Sequence, residues 1–295
     1  MVVGRGYGVL SSPWAGLIDD AALFPPGEAP LADAVPAHLV HRRAWYAQLV
    51  GPFISPLSRV DELTRALGDE TCDVSLLLPH GPAQLTKARE FIGRPHGPRV
   101  TAVELGATAE LTGRQAVEAI DKGLPTGVRA YVELPRTAAR TALVRALEGT
   151  GHHAKLRTGG IQAAAFPDER ELANWILGCV RHQVPFKCTA GLHNAVRHRD
   201  VATGFEHHGV LNILLATASA LQGHRADTLA MILAEHDPDI VVEECERLRD
   251  EGIAEARAFF ISFGTCSVAD PLGDLASLGL VPEPAHQHGA ESDMR

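Results

Sequence analysis

Residues 128–189 contain the three short apolar runs that decide the fold: Val128–Leu134 (VRAYVEL), Ala154–Thr158 (AKLRT) and Pro185–Thr189 (PFKCT). Each run has the length and the apolar, β-branched or aromatic composition of a buried strand. An amphipathic segment with helical spacing follows each of the first two runs. The spacing of roughly 25–32 residues between strand starts is that of one strand–helix unit in an α/β barrel.

The same unit recurs along most of the chain. Five further strands are predicted at Gly16–Leu23, Tyr46–Ile54, Asp73–Pro79, Val100–Gly106 and Phe259–Phe263. Helices are predicted at Leu57–Leu67, Pro82–Ile92, Ala109–Ile120, Thr137–Leu147 and Glu169–His182. Eight strands that alternate with helices predict a (β/α)₈ TIM barrel. A doubly wound nucleotide-binding sheet is disfavoured because no Gly-x-Gly-x-x-Gly or Walker-type loop follows the first strand.

The seventh interval is longer than one strand–helix unit. Three additional helices are predicted there, at Gly209–Leu221, Ala226–His236 and Ile240–Ala258. We interpret residues 194–258 as a helical insertion over the face of the barrel where active sites lie. The predicted organisation is one barrel domain over residues 1–285, followed by a flexible tail at 286–295.

Composition and charge restrict the class of protein. The chain has 295 residues, of which 45% are hydrophobic, and a net charge of −9. It has no basic run, so nucleic acid is excluded as a partner, and no apolar run long enough to span a membrane. The five cysteines are odd in number and lack Cys-x-x-Cys spacing, as in reduced thiols. We expect a cytoplasmic globular protein, and whether it forms a homo-oligomer stays open.

Lysine is rare in this sequence and therefore informative. Of the 27 basic residues, 23 are arginine, and the lysines are Lys87, Lys122, Lys155 and Lys187. Lys155 and Lys187 fall on predicted strands, whereas the other two lie in polar helical segments. A lysine amine can lose its proton and attack a carbonyl, which a guanidinium cannot do.

Ionisable residues gather where predicted strands end, at the catalytic face of a barrel. They are Asp19, Glu104, Glu133, Lys155, Arg157, Lys187 and, just after the seventh strand, His193. A second cation near a lysine disfavours its charged form, and a carboxylate nearby can move protons. This combination predicts an amine that forms a Schiff base with a carbonyl substrate.

These residues resemble deoxyribose-phosphate aldolase and its class I aldolase relatives. Lys155-Leu156-Arg157-Thr158-Gly159 is similar to the family's Lys-x-x-Thr-Gly, and Lys187 with Ala190-Gly191 is similar to its second lysine and glycine loop. Shorter likenesses are Leu17-Ile18-Asp19, Leu49–Pro56, Pro79-His80-Gly81, Val132-Glu133-Leu134 and Phe263-Gly264-Thr265-Cys266-Ser267. Together they follow the order of all eight strands.

The resemblance implies a carbon–carbon lyase of carbohydrate metabolism that uses no cofactor and no metal. Lys155 would form the Schiff base, Lys187 would depress its pKa and Glu104 would relay protons. The expected substrate-binding residues are Asp19, Glu133, Arg157, Thr158, Gly159, Gly160, Gly191, His193, Gly264 and Ser267. The substrate would be a small anionic carbonyl compound, either a phosphorylated aldehyde or ketone or a 2-oxo acid.

The chain departs from the family where its substrate is recognised. Glu104 replaces an aspartate, and Arg157 stands where the family has a small hydroxyl residue. Two alternatives therefore stay open. One is a divalent metal on Asp19, Glu104, Glu133 and His193 that stabilises an enolate. The other is a non-catalytic barrel that binds an anionic metabolite.

Overall fold

A computed structural model describes residues 13–94, 96–107 and 113–281. Its main feature is a closed barrel of eight parallel strands, with the neighbour order β1-β10-β7-β6-β5-β4-β3-β2. The barrel strands are β1 (Ile18–Asp20), β2 (Val50–Pro56), β3 (Asp73–Leu78), β4 (Arg99–Leu105), β5 (Arg129–Glu133), β6 (His153–Arg157), β7 (Phe186–Thr189) and β10 (Phe260–Thr265). The predicted (β/α)₈ barrel is therefore confirmed.

Helices surround the barrel and connect successive strands. They are α1 (Leu31–His41), α2 (Val60–Leu67), α3 (Leu85–Phe91), α4 (Gly113–Gly123), α5 (Ala139–Leu147), α6 (Glu169–Arg181), α7 (Val210–Leu221), α8 (Ala226–Ala234), α9 (Pro238–Phe259) and α10 (Ala269–Ser277). Residues 109–112 of the helix predicted at Ala109–Ile120 and the predicted tail at 286–295 lie outside the described residues. No helix in the described ranges has the length and apolarity needed to cross a bilayer.

The barrel strands are almost wholly buried, as expected for a parallel sheet that is covered on both faces. Apolar side chains such as Phe53, Val103 and Phe263 are fully buried in this core. The interior also holds buried charged and hydroxyl side chains, one from each of seven barrel strands: Asp19, Ser75, Glu104, Glu133, Lys155, Lys187 and Ser262. Buried charges are costly unless they are paired, so this polar group points to a functional site.

The three extra helices of the seventh interval pack on the outer wall of the barrel. Helix α7 is buried on nearly all sides and packs against α6, α8, α9 and β10, and α8 packs against α6. The prediction that the insertion covers the catalytic face is therefore wrong for the helices. The physical reason is that α7, with the sequence VLNILLATASAL, is apolar around its whole circumference and needs cover on every side.

A short antiparallel hairpin comes before α7, formed by β8 (His198–Arg199) and β9 (Glu206–His207). Buried Arg197, next to the hairpin, forms an ion pair with Glu169 of α6 and donates a hydrogen bond to His208 Nδ1 at 3.2 Å. The other ring nitrogen of His208, Nε2, lies 2.8 Å from the Pro167 carbonyl oxygen and donates to it. His208 is therefore a neutral imidazole with both nitrogens in use.

We expect His208 to make the folding stability fall in mild acid. Burial is the main cause that lowers its pKa from 6.5 to about 4, so below pH 6.5 only the unfolded chain takes up this proton. The contribution is fully present above pH 6.5 and is lost as the pH falls towards 4. The loss of folding stability from this group between pH 6.5 and 5 is about 2 kcal/mol. Urea unfolding at both pH values measures it.

The variant His208→Gln keeps hydrogen-bonding capacity but does not titrate, so its stability should fall less over the same pH interval. Exposed His80 offers a matched control, because His80→Gln should retain the wild-type pH dependence. The same pH dependence in His208→Gln and in wild type would contradict the assignment of the acid sensitivity to this imidazole.

Candidate active site

Lys187 is at the centre of the polar interior. Its side chain is fully buried, and Nζ donates to Asp19 Oδ2 at 2.6 Å and to Glu104 Oε1 at 2.7 Å. The ring of Tyr131 lies beside this amine, with its centroid 5.2 Å from Nζ. Lys187 is thus an ammonium ion held by two carboxylates.

Glu104 connects the two strand lysines. Its Oε1 accepts from Lys187 and from Ser75 Oγ at 3.0 Å, and its Oε2 lies 3.5 Å from Lys155 Nζ. The lysines are direct register partners on β6 and β7, which are neighbours in the barrel. The charge of Lys187 therefore reaches Lys155 largely neutralised by the carboxylate that both of them contact.

Lys155 has longer carboxylate contacts than Lys187. Its Nζ is 2.9 Å from Glu133 Oε2, and Glu133 Oε1 accepts from Arg157 Nε at 3.0 Å. The Arg157 side chain is 47% exposed, whereas that of Lys155 is 2% exposed. The Glu133–Arg157 ion pair is therefore the outermost part of the network, between Lys155 and solvent.

Glu104 and Lys187 hold each other in their charged forms. For Glu104, burial raises the pKa, but Lys187 and Lys155 outweigh it and lower the pKa to about 2. For Lys187, burial acts to lower the pKa, and the charges of Asp19 and Glu104 outweigh it and raise the pKa above its ordinary value. Glu104 and Lys187 are therefore a fixed anion and a fixed cation at neutral pH.

Asp19 and Glu133 respond to burial differently. Burial raises the pKa of Asp19, and the opposing effects of Lys187 and the Ser262 hydrogen bond only partly cancel it. Burial also acts to raise the pKa of Glu133, but Lys155 and Arg157 outweigh it and the pKa falls below its ordinary value. Glu133 thus depends on two cations, one of which is half exposed, so its proton affinity rises if Arg157 moves away.

Four supporting residues were not predicted from the sequence. Ser75 and Ser262 donate hydroxyl hydrogen bonds to Glu104 and Asp19 respectively, at 3.0 and 2.7 Å. Gly51 leaves room for the Asp19 carboxylate, and Tyr131 borders Lys187. In the sequence, each serine is the single hydroxyl residue of its predicted strand, and this is the feature that could have indicated a polar role for it.

We expect Gly51→Ala to destabilise the protein by about 1–3 kcal/mol, the usual cost of overpacking a core. An added Cβ would stand 2.1 Å from Asp19 Oδ1, so the carboxylate that binds Lys187 must move. Gly273→Ala in α10 is the matched control, because its Cβ meets no atom within 4 Å and alanine favours a helix. Urea unfolding should therefore show a loss for the first variant and none for the second. Wild-type stability in Gly51→Ala would contradict the packing of Asp19.

The loop residues predicted to bind substrate connect β6 and β7 at the mouth. Thr158 Oγ1 lies 2.7 Å from the Ala190 carbonyl oxygen and donates to it. A Cβ on Gly159 would stand 2.7 Å from Gly191 Cα, and Gly191 has a φ of +73°, which favours glycine. A Cβ on Gly160 would stand 2.8 Å from the side chain of Ala165. These glycines let the two loops pack closely above Lys155 and Lys187.

The other predicted residues lie at the end of β10 and beyond it. His193 Nδ1 is 3.4 Å from Thr265 Oγ1, and Gly264 pairs in register with Asp19. Ser267 Oγ accepts from the Asp270 N–H at 3.3 Å at the start of α10. The structure thus brings together Asp19, Glu104, Glu133, Lys155, Arg157 and Lys187, and the described contacts of Ser267 lie outside that network.

Histidines of the hairpin lie over the loops that follow β6 and β7. The ring of His207 is 4.6 Å from that of Phe166, which packs against Gly159 and Gly191. Both ring nitrogens of His207 and Nδ1 of His198 are buried and have no hydrogen-bond partner among the described residues. The hairpin therefore places imidazoles beside Phe166, which packs against the loops that follow β6 and β7.

The metal alternative lacks support in this geometry. No group of three or more His, Cys, Asp or Glu residues in the described part of the chain is arranged to hold a metal ion. Asp19, Glu104 and Glu133 each contact a lysine Nζ, whereas His193 contacts Thr265. The four proposed ligands thus do not form one centre.

The protein is a TIM barrel of parallel strands, and its interior holds a buried network of lysine and carboxylate side chains. No protein-family model and no curated protein matches the sequence.

Proposed function

We propose that this protein is a class I aldolase-type carbon–carbon lyase that forms a Schiff base between Lys155 and a small anionic carbonyl substrate. The observation that carries the proposal is the position of Lys155. Its amine lies 2.9 Å from Glu133, in the buried interior of the barrel, beside a second lysine that Asp19 and Glu104 neutralise.

Lys155 is a better candidate for the nucleophile than Lys187. Lys187 makes two short charged hydrogen bonds, and its raised pKa opposes formation of a free amine. Lys155 has one close carboxylate partner and a second at 3.5 Å. We therefore assign Lys187 to the positioning of Glu104 rather than to the activation of Lys155.

Proton transfer fits Glu133 better than Glu104. The pKa of Glu104 is about 2, so it is a weak base, and Lys187 and Ser75 occupy its Oε1. Glu133 lies against Lys155 and shares its other oxygen with half-exposed Arg157. When Arg157 turns to the anionic group of a substrate, Glu133 loses one cation, becomes more basic and accepts a proton from Lys155.

The covalent steps follow from a neutral Lys155 amine. Its lone pair attacks the carbonyl carbon, and the proton that Glu133 took from Lys155 passes to the carbinolamine hydroxyl, which leaves as water. This step gives an iminium ion and restores the Glu133 carboxylate. Glu133 takes the proton of the hydroxyl β to this iminium, the carbon–carbon bond breaks and its electrons form an enamine. The aldehyde product leaves. Protonation of the enamine carbon and hydrolysis then release the second product and restore the amine.

The experiment is reductive trapping. The protein is incubated with a panel of 2-oxo acids, sugar phosphates and simple aldehydes, reduced with borohydride, and its intact mass is measured. We expect one adduct per chain with at least one anionic carbonyl compound, in wild type and in the exposed-lysine variant Lys122→Met alike. A compound that the protein cleaves without forming an adduct would overturn the Schiff-base mechanism. Saturable binding without adduct or turnover would favour the non-catalytic barrel.

A further inference from the structure

A second candidate site lies on the outer wall of the barrel, between α5 and α6. It is a cavity of about 310 Å³, and its lining includes Arg140, Asn174, Trp175, Arg181 and His182. Its volume is in the range of cavities that hold small molecules. None of these lining residues belongs to the lysine network, so the cavity is a separate feature of the molecule.

The indole of Trp175 forms part of the wall and lacks a hydrogen-bond acceptor. The residue is 2% exposed, and no described residue accepts a hydrogen bond from its Nε1–H. An indole nitrogen can only donate, and a buried donor without an acceptor destabilises the folded state. The N–H of Trp175 is thus an unsatisfied donor, covered by protein, in the wall of the cavity.

Two arginines at the cavity also lack acidic partners. Neither Arg140 nor Arg181 has a carboxylate within ion-pair distance among residues 13–94, 96–107 and 113–281. By contrast, Arg136, just before α5, and Arg170 on α6 pair with Glu171 and Asp227 respectively. Arg140 stands over the indole of Trp175, with its Cζ 5.3 Å from the ring centroid. Burial lowers the pKa of Arg140, which marks a partly desolvated cation that an anion would stabilise.

Beside the buried indole N–H, this cavity thus has two guanidinium groups without a carboxylate partner among the described residues, and its lining also includes the polar side chains of Thr141 and Asn174. His182, the third basic residue of the lining, already pairs with Glu148 at 3.0 Å. We propose that this cavity is a binding site for a compact, multiply charged oxyanion, such as the phosphate or carboxylate groups of a small metabolite. Such groups accept several hydrogen bonds and match a guanidinium with two parallel bonds.

The test uses the side-chain N–H signals of the full-length protein labelled with ¹⁵N at tryptophan. The chain has three tryptophans, and the variant Trp175→Phe identifies the signal of Trp175 by its loss. Pyrophosphate and citrate are titrated separately at constant ionic strength, which distinguishes a phosphate source from a carboxylate source. We expect the Trp175 signal to shift and to saturate with at least one probe, while the Trp14 and Trp45 signals stay unchanged.

Removal of the two guanidinium groups should weaken this binding. The double variant Arg140→Gln with Arg181→Gln loses charged hydrogen bonds, so the dissociation constant should rise about tenfold or more. Arg145→Gln, an exposed arginine on α5 outside the lining, is the matched control and should bind as wild type does. The proposal is overturned if neither probe shifts the Trp175 signal, or if the double variant and Arg145→Gln bind equally well. These measurements do not depend on catalysis, so failure of this proposal can be distinguished from failure of the Schiff-base proposal.

Discussion

Replacement of Lys155 by methionine should reduce turnover of the trapped compound by about a thousandfold or more, because the covalent pathway is lost with the amine. Lys155→Arg should be equally inactive, although it restores a positive charge beside Glu133. Loss of activity in both variants would show that the reaction needs a nucleophile at this position and not only a positive charge. Initial rates with the compound found by trapping measure the effect.

The fold should survive the loss of Lys155. Glu133 keeps its contact with Arg157, and Glu104 keeps its contact with Lys187, so neither carboxylate is left without a cation. Lys122→Met on exposed α4 is the control and should retain full activity. Activity within a few-fold of wild type in Lys155→Arg would mean that Lys155 acts only through its charge.

Replacement of Lys187 by methionine should have the largest effect on stability, a loss of about 3–5 kcal/mol in the free energy of unfolding. The ammonium group is the partner of Asp19 at 2.6 Å and of Glu104 at 2.7 Å, and all three side chains are buried. Its removal leaves Asp19 without a cation and leaves Glu104 with the more distant Lys155. Urea unfolding at neutral pH measures the loss.

Acid should partly rescue this variant. Without Lys187 the buried carboxylates bind protons more readily, so the difference in stability between Lys187→Met and wild type should narrow as the pH falls. Lys87→Met, on the surface, should unfold as wild type does. A loss below about 1 kcal/mol at neutral pH would contradict the charge network, since surface substitutions have effects of that size.

The positions of the main network residues could be predicted from the strand pattern. Glu133, Lys155 and Lys187 fall at matching register positions on three neighbouring parallel strands, so their convergence follows once the strands are assigned. Alternation within β1 does not decide between Asp19 and its neighbour Asp20; in the structure Asp19 contacts Lys187, whereas Asp20 contacts His38 on α1. Register between neighbouring strands is enough for Glu133, Lys155 and Lys187.

Partners that depend on tertiary packing could not be predicted. Ser75 contacts Glu104 across 29 positions of sequence, and nothing in an apolar strand marks one serine as a ligand of a carboxylate. Gly51 is required by the position of the Asp19 side chain, which only the closed barrel fixes. The apolar sequence of α7 predicts a buried helix but not which surface covers it, so the location of the insertion was predicted wrongly.

The most direct test of the Schiff-base proposal is peptide mapping of the borohydride-reduced adduct. The chain has four lysines at well-separated positions, so the modified residue is identified without ambiguity. We expect the ligand-dependent mass to lie on Lys155 and to disappear in Lys155→Met. An adduct on Lys187, or one spread over Lys87 and Lys122 in proportion to exposure, would contradict it.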